Sequence, residues 1–156
     1  MLEWMIMPLR RYADFKGRSR RKEFWLFALL NMVVILLIVI AMFATNGELV
    51  AQLVAAQGKM LATYAAMFSG VGLLLAIWSV LMFVPNAAVS VRRLHDRNLS
   101  GWWYAGVLVC NFAPYVRALS SIGGLVFLVI MCLEGTRGPN RFGPDPKGPA
   151  HQDVFA

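Results

Sequence analysis

VRRLHDRNLSGWW, residues 91–103, is the most charged stretch between apolar runs in this chain. It carries Arg92, Arg93 and Arg97, and it ends in the pair Trp102 and Trp103. Tryptophan is enriched where a chain enters a membrane, because its ring is half apolar and half wetted there. Arginine and lysine are enriched in loops on the cytoplasmic side. The stretch therefore predicts a cytoplasmic loop between two membrane spans.

The composition supports a membrane protein of one domain. Of the 156 residues, 59% are hydrophobic and 15% are charged, which is too apolar for an ordinary soluble domain. The net charge is nevertheless +7, which suggests anionic membrane lipids as partners. A nucleic-acid partner is disfavoured, because a DNA-binding protein needs no long uncharged runs.

The cysteines and the first residues exclude other classes. Cys110 and Cys132 lie inside apolar stretches, so we interpret them as small hydrophobic residues, and we predict neither a metal nor a cofactor. The first apolar run, residues 2–8, is too short for a cleavable signal peptide. We therefore expect the first span to act as its own insertion signal.

Residues 1–22 predict an interfacial basic foot. Apolar residues including Trp4 can share one face of a short helix, as in segments that lie in the lipid interface. A solvated basic tail that only obeys topology rules is the alternative. Seven cations follow the apolar face: Arg10, Arg11, Lys16, Arg18, Arg20, Arg21 and Lys22.

Two long apolar runs predict the first two transmembrane helices, over 24–44 and 64–91. About 20 residues suffice to cross a hydrocarbon core of about 30 Å. Between them, 45–63 predicts a polar periplasmic connection with a short interfacial helix. We expect the second helix to continue, bent, through Pro85; the alternative is that it ends there.

The run from 102 to 133 has three interpretations. It forms two short spans, over 101–116 and 118–134, or a re-entrant hairpin, or one long helix. With an even number of crossings both termini are cytoplasmic, and 13 of the 15 lysines and arginines lie on that side. A single crossing would move three tail cations outside, against the positive-inside rule. We therefore predict an all-α polytopic protein with four transmembrane helices, the last two short, and an N-in/C-in topology.

The end of the fourth helix carries two local predictions. Gly135 suits a left-handed cap, and the Gly- and Pro-rich tail over 135–156 is expected to be extended. Glu134 lies at the negative end of the helix dipole, which is unfavourable for an anion. We expect it to pair with an arginine, and the candidates are Arg92, Arg93 and Arg137.

Three motifs, taken in order, resemble a known family. The first is FKGRSRRKEFW at 15–25, the second is RRLHD at 92–96 followed by SGWW at 100–103, and the third is NRFGPDP at 140–146 with Gly135 and Gly138 before it. Together they resemble the domain-of-unknown-function 805 family of small bacterial inner-membrane proteins. The resemblance covers nearly the whole chain and implies a helical, multi-span inner-membrane protein. It implies no chemistry, because the family has no assigned activity.

The three motifs fall on the same predicted face of the membrane, which suggests a site. A charge near hydrocarbon is costly unless it is paired, so we expect an ion-pair network there. Arginine binds phosphate through planar, bidentate donors, so the same face can bind a phosphate or an anionic lipid head group. The predicted network residues are Glu23, Asp96, Glu134 and His95, and the predicted anion ligands are Arg18, Arg21, Arg92, Arg93 and Arg141.

These patterns favour a binding, regulatory or scaffold protein, with a homo-oligomer or a membrane protein as a further partner. A small oligomeric transporter is the alternative, although transporters place polar groups near the midplane and few occur here. Catalysis is weaker still. His95 beside Asp96 suggests a general base, but adjacent residues rarely face each other on a helix and no nucleophile motif accompanies them.

Overall fold

The computed structural model of this protein describes residues 1–45, 47, 51, 70, 72–112 and 117–148. The described residues form five α-helices and no named strand, which confirms the all-α class. The expected interfacial helix within 45–63, the beginning of the second span and the turn near Pro114 lie outside the described residues. The helices are α1 (Leu2–Arg10), α2 (Arg21–Thr45), α3 (Gly72–Asp96), α4 (Trp102–Phe112) and α5 (Arg117–Cys132).

Two of these helices are long and apolar enough to cross a membrane. Both α2 and α3 contain 25 residues, a length of about 37 Å at about 1.5 Å per residue. That length exceeds the hydrocarbon core of about 30 Å. Among the described residues, α2 and α3 are the helices that meet both length and composition requirements.

The chain forms two compact units, and residues 28–83 make up the second. Many of its described large apolar side chains are exposed: Leu37 is 60% exposed and Val80 is 73% exposed. Exposed apolar surface on this scale is unusual for a soluble monomer and is typical of a face covered by lipid or by another protein.

Residues 1–27 and 84–156 make up the first unit, whose interior is different. Pro85 lies inside α3, so the predicted continuation of this helix is confirmed. Phe27, Leu94 and Met131 are fully buried and supply apolar contacts from α2, α3 and the end of α5. Arginine and carboxylate side chains are buried beside them, and they are described below.

Helices α4 and α5 pack against each other as a hairpin. The rings of Tyr104 and Phe127 lie 5.8 Å apart, although 22 residues separate them in sequence. A single long helix over 102–133 is therefore wrong. The backbone N–H of Thr136, just after α5, donates to the Asp96 carbonyl at the end of α3 (2.8 Å), so the hairpin begins and ends at the same place.

The segment after α5 is held by turns and contacts. Asn140 and Gly143 exchange two backbone hydrogen bonds of 3.0 Å, and Gly138 has a left-handed φ of 77°. The left-handed cap predicted at Gly135 is wrong, because the left-handed residue of this segment's first turn is Gly138. Gly135 serves another purpose: a Cβ atom there would overlap the Asp96 carboxylate.

Candidate anion-binding site

Three arginines and two carboxylates form a buried cluster in the first unit. We call Arg18, Arg92, Arg93, Glu23 and Asp96 the arginine cluster, and each of these residues is less than 10% exposed. Arg92 Nη2 lies 2.8 Å from Glu23 Oε1, and Arg18 Nε lies 2.9 Å from Asp96 Oδ1. Arg93 Nη1 also pairs with Asp96, through Oδ2. Asp96 thus bridges two guanidinium groups from different parts of the chain.

Helix spacing places most of these groups. Arg93 and Asp96 are three residues apart in the last turns of α3, where i and i+3 side chains are neighbours. Glu23 lies in the first turn of α2. Its second oxygen accepts a hydrogen bond from the Ser19 hydroxyl (2.7 Å), and the Ser19 N–H donates to the Arg92 carbonyl (3.1 Å). The segment before α2 is therefore fastened to the end of α3.

Other donors of Arg18 and Arg93 bind backbone carbonyls. Arg93 donates to the carbonyls of Met131 (3.3 Å) and Leu133 at the end of α5. The last carbonyls of a helix have no intrahelical partner and carry partial negative charge, so a cation is favourable there. Arg18 Nη1 donates to the Gly138 carbonyl (2.7 Å), and Nη2 donates to the Thr136 carbonyl. The cluster therefore joins α2, α3, α5 and the following segment.

His95 lies beside the cluster, and the described residues give it no ion pair. Its Nδ1 is 3.2 Å from the Gly17 carbonyl, and its ring stacks on Phe142 with centroids 3.9 Å apart and an interplanar angle of 5°. The Asn140 side-chain amide donates to the His95 carbonyl (2.9 Å). His95 was expected in the ion-pair network, but here its ring holds the segment after α5 in place.

Arg141 and Glu134 lie at the surface. Arg141 Nη2 donates to the Asn98 carbonyl (3.0 Å), and its guanidinium group lies 4.7 Å from the Phe142 ring centroid. Glu134 pairs with Arg21 Nη2 at 2.7 Å. The expected pairing of Glu134 with an arginine is confirmed, but the three candidates are wrong. Two of them, Arg92 and Arg93, are turned into the cluster instead.

A basic pocket of about 290 Å³ opens beside the cluster. Arg21 and Lys147 share the carboxylate of Glu134, with Lys147 Nζ 3.6 Å away. Arg20 donates to the Pro146 carbonyl (2.7 Å). The five cations of this basic pocket exceed its three carboxylates, and the lining comprises Arg18, Arg20, Arg21, Arg137, Lys147, Asp96, Glu134, Asp145, Gly135, Thr136 and Pro146.

Arg137 and Asp145 have contrasting surroundings in this pocket. Within the described ranges, the Arg137 side chain makes neither a hydrogen bond nor an ion pair. Asp145 accepts backbone N–H bonds from Lys147 and Gly138, both 2.9 Å long. The Lys147 bond is the largest influence and lowers the pKa of Asp145; partial burial opposes it, and the Gly138 bond and the charge of Arg18 add to the lowering. Asp145 therefore orders the pocket wall as a carboxylate.

The sequence prediction and the structure overlap in part. Three of the five predicted anion ligands, Arg18, Arg92 and Arg93, belong to the arginine cluster, where protein groups already occupy most of their donors. Arg20, Arg137 and Lys147 line the basic pocket but are not among the anion ligands predicted from the sequence. The spacing GPDP at 143–146 indicates a turn, but nothing local indicates that this turn folds against the segment before α2. No group of three or more metal-binding side chains occurs among the described residues.

The comparisons with known proteins identify the family. The model of the family "Protein of unknown function (DUF805)" matches residues 12–144. This chain belongs to that family. The match includes α2 to α5, the arginine cluster and most of the basic pocket.

Three relatives from Escherichia coli K12 show how far the likeness extends. The inner membrane protein YhaH is 38% identical over 94% of this chain and 98% of its own length. The inner membrane protein YhaI is 34% identical over 94% of this chain and 97% of its own length. The uncharacterized protein YiiR is 30% identical over 85% of each chain. No solved structure matches this chain.

Proposed function

We propose that this chain is a multi-pass inner-membrane protein that binds a phosphate-bearing anion in the basic pocket on its cytoplasmic side. Two relatives that cover nearly the whole chain are named as inner membrane proteins. Helices α2 and α3 have the required length and apolar composition. Their exposed leucines, isoleucines and valines would contact lipid.

The contacts of the first unit support an N-in/C-in topology. Arg18 before α2, Asp96 at the end of α3 and Thr136 after α5 are all joined by hydrogen bonds. On this proposal the chain returns to the same side between 24 and 91, and again between 101 and 134. This holds whether the α4–α5 hairpin crosses the membrane or is re-entrant. Thirteen of 15 cations then face the cytoplasm, in agreement with the positive-inside rule.

The length of the hairpin favours shallow insertion. The 16 residues of α5 span about 24 Å, which is less than the hydrocarbon core of about 30 Å. Either the bilayer thins around the hairpin or the hairpin is re-entrant. Both arrangements leave Trp102, which is 82% exposed, at the cytoplasmic interface.

One observation carries the assignment of the anion: the Glu134 carboxylate is 56% exposed and lies between two pocket cations. It occupies the position that a phosphate would take between Arg21 and Lys147. Surface ion pairs of this kind are worth at most about 1 kcal/mol, so an incoming phosphate can displace this carboxylate. Arg137, which binds no described group, adds a further donor.

The arginine cluster supports this site without binding the anion. Its guanidinium groups are paired with Glu23 and Asp96 and lie away from solvent. They hold the helix ends that position Arg20, Arg21 and Arg137. We therefore propose that the anion binds in the basic pocket, next to the cluster. Of the five anion ligands predicted from the sequence, Arg21 remains a ligand there.

Phosphate binding by the purified full-length protein tests the proposal. In detergent, inorganic phosphate should bind, Arg137→Gln should weaken binding about two- to fivefold, and Glu134→Gln should strengthen it by a similar factor. Arg10→Gln is the matched control, because Arg10 is exposed and lies outside the pocket. Failure of both variants to change phosphate affinity would contradict the assignment.

A second arm separates a soluble ligand from a lipid head group. The protein is reconstituted in two kinds of nanodisc, one of phosphatidylcholine alone and one that also contains phosphatidylglycerol. Both samples are titrated with glycerol 3-phosphate. If the source is a head group, phosphatidylglycerol weakens glycerol 3-phosphate binding by a larger factor in the wild type than in Arg137→Gln. If the source is a soluble ester, phosphatidylglycerol changes the affinity of both proteins by the same factor, through the surface potential of the bilayer alone.

A further inference from the structure

A second cavity, of about 570 Å³, lies beside α1 and the first turns of α2. Its size falls within the range of about 300–1,000 Å³ typical of small-molecule pockets. We call it the tryptophan cavity, since two tryptophans form its walls. The lining comprises Met1, Trp4, Arg21, Lys22, Trp25, Leu26 and Cys132.

The walls of the tryptophan cavity are held in place. The guanidinium group of Arg20 lies 5.5 Å from the Trp4 ring centroid. This cation–π contact holds Trp4 of α1 against the segment before α2. Trp25 packs edge-on against Phe24, with centroids 5.3 Å apart. Arg21 is tied to Glu134 and to the Cys132 carbonyl. The cavity is therefore shaped by several elements of the first unit.

Its chemistry is divided between apolar walls and a basic rim. The tryptophans, Met1 and Leu26 provide apolar surface, and Lys22 and Arg21 provide positive charge. Lys22 is exposed, and the described residues give its side chain neither a hydrogen bond nor an ion pair. An apolar segment of a partner protein would need no cation at the rim. A molecule with an acyl chain and a phosphate matches both parts.

We propose that the tryptophan cavity binds one anionic phospholipid, with an acyl chain between Trp4 and Trp25 and the phosphate at Lys22 and Arg21. The site follows from charge complementarity and from the position of the cavity at the end of α2, where the predicted span begins. The inference rests on the membrane placement proposed above but not on phosphate binding in the basic pocket.

Native mass spectrometry of the full-length protein with phosphatidylglycerol or phosphatidylcholine of identical chains tests the proposal. The wild type should retain phosphatidylglycerol in preference to phosphatidylcholine. Lys22→Gln should reduce phosphatidylglycerol affinity about fivefold, because each cation near an anionic head group contributes about that factor. It should lower phosphatidylcholine affinity by a smaller factor, because the choline cation is repelled by the basic rim. Lys16→Gln, an exposed lysine outside the cavity, is the control.

A second variant tests the apolar part. Trp25→Ala should weaken retention of both lipids, whereas Trp102→Ala, at an exposed tryptophan outside the cavity, should not. Equal retention of the two lipids by the wild type, or no effect of Lys22→Gln, would overturn the proposal. A third result would also overturn the proposal: the wild type retains neither lipid but forms an oligomer, and Trp25→Ala disrupts that oligomer. The occupant of the cavity would then be a second copy of this chain. Arg137→Gln should leave the effect of Lys22→Gln on phosphatidylglycerol retention unchanged, which separates this result from failure of the basic pocket.

Discussion

One compact unit of this protein buries charged side chains, whereas the other exposes apolar ones. In residues 1–27 and 84–156, Arg92 and Arg93 have no exposed surface, while in residues 28–83 Leu37 and Val80 are largely exposed. A soluble protein normally buries its apolar side chains and exposes its charged ones. A lipid environment explains the second unit, and paired charges explain the first, since a buried cation is stable only with a close anion and satisfied donors.

The largest effect is expected from Asp96. Asp96→Ala would leave Arg18 and Arg93 buried without their shared carboxylate, which should lower the free energy of unfolding by about 3–5 kcal/mol. Thermal or denaturant unfolding of the detergent-solubilised protein measures this loss. Asp14→Asn is the control, because the Arg11–Asp14 pair is more than one-third exposed and should contribute at most about 1 kcal/mol. Equal effects of the two variants would contradict the cluster's role.

The second unit is tested by a charge on its exposed surface. Leu36 is 54% exposed near the middle of α2, so Leu36→Lys would cost little in water. In a bilayer it should cost about 2.5–3.5 kcal/mol of insertion free energy. Insertion efficiency of α2 in a translocation assay measures this cost. Leu2→Lys, on exposed α1, should insert normally, and normal insertion of Leu36→Lys would argue against lipid contact.

A smaller effect is expected where the segment after α5 meets the cluster. Gly135→Ala would place a methyl group in the space of the Asp96 carboxylate and should destabilise the protein by about 1–3 kcal/mol. Gly124→Ala in α5 meets no described atom within 4 Å and should be neutral or stabilising. Unfolding curves of the two variants, compared side by side, would reveal whether Gly135 is needed for this close approach.

The smallest effect concerns pH. Because the folded pKa of Asp145 is lowered, its contribution to stability is present above the unfolded value of about 3.9 and is lost as pH falls through the lower folded value. Hydrogen exchange at the Gly138 amide should therefore show extra opening below about pH 4 in the wild type, once the intrinsic pH dependence is removed. Asp145→Asn should remove that extra pH dependence, and an unchanged profile would show that Asp145 does not hold this turn.

The sequence predicts the helical class because α2 and α3 are long apolar runs, and it predicts the return of the chain to one side because cations cluster at three places. It does not predict which carboxylate meets which arginine. Glu134 pairs with Arg21 because the first turn of α2 lies beside the end of α5, and no local pattern specifies that arrangement. Gly135 shows the same limit: its sequence context suggests a cap, but the neighbour that requires glycine is Asp96, 39 residues away.

The central claim is that the ends of the chain and the 92–97 segment meet on the cytoplasmic side. A paired set of C-terminal fusions in a bacterial host tests it most directly, one to a fluorescent protein that folds in the cytoplasm and one to a phosphatase that is active in the periplasm. Our account predicts fluorescence and no phosphatase activity at the C-terminus. Phosphatase activity without fluorescence would contradict it and would place the basic pocket on the other side of the membrane.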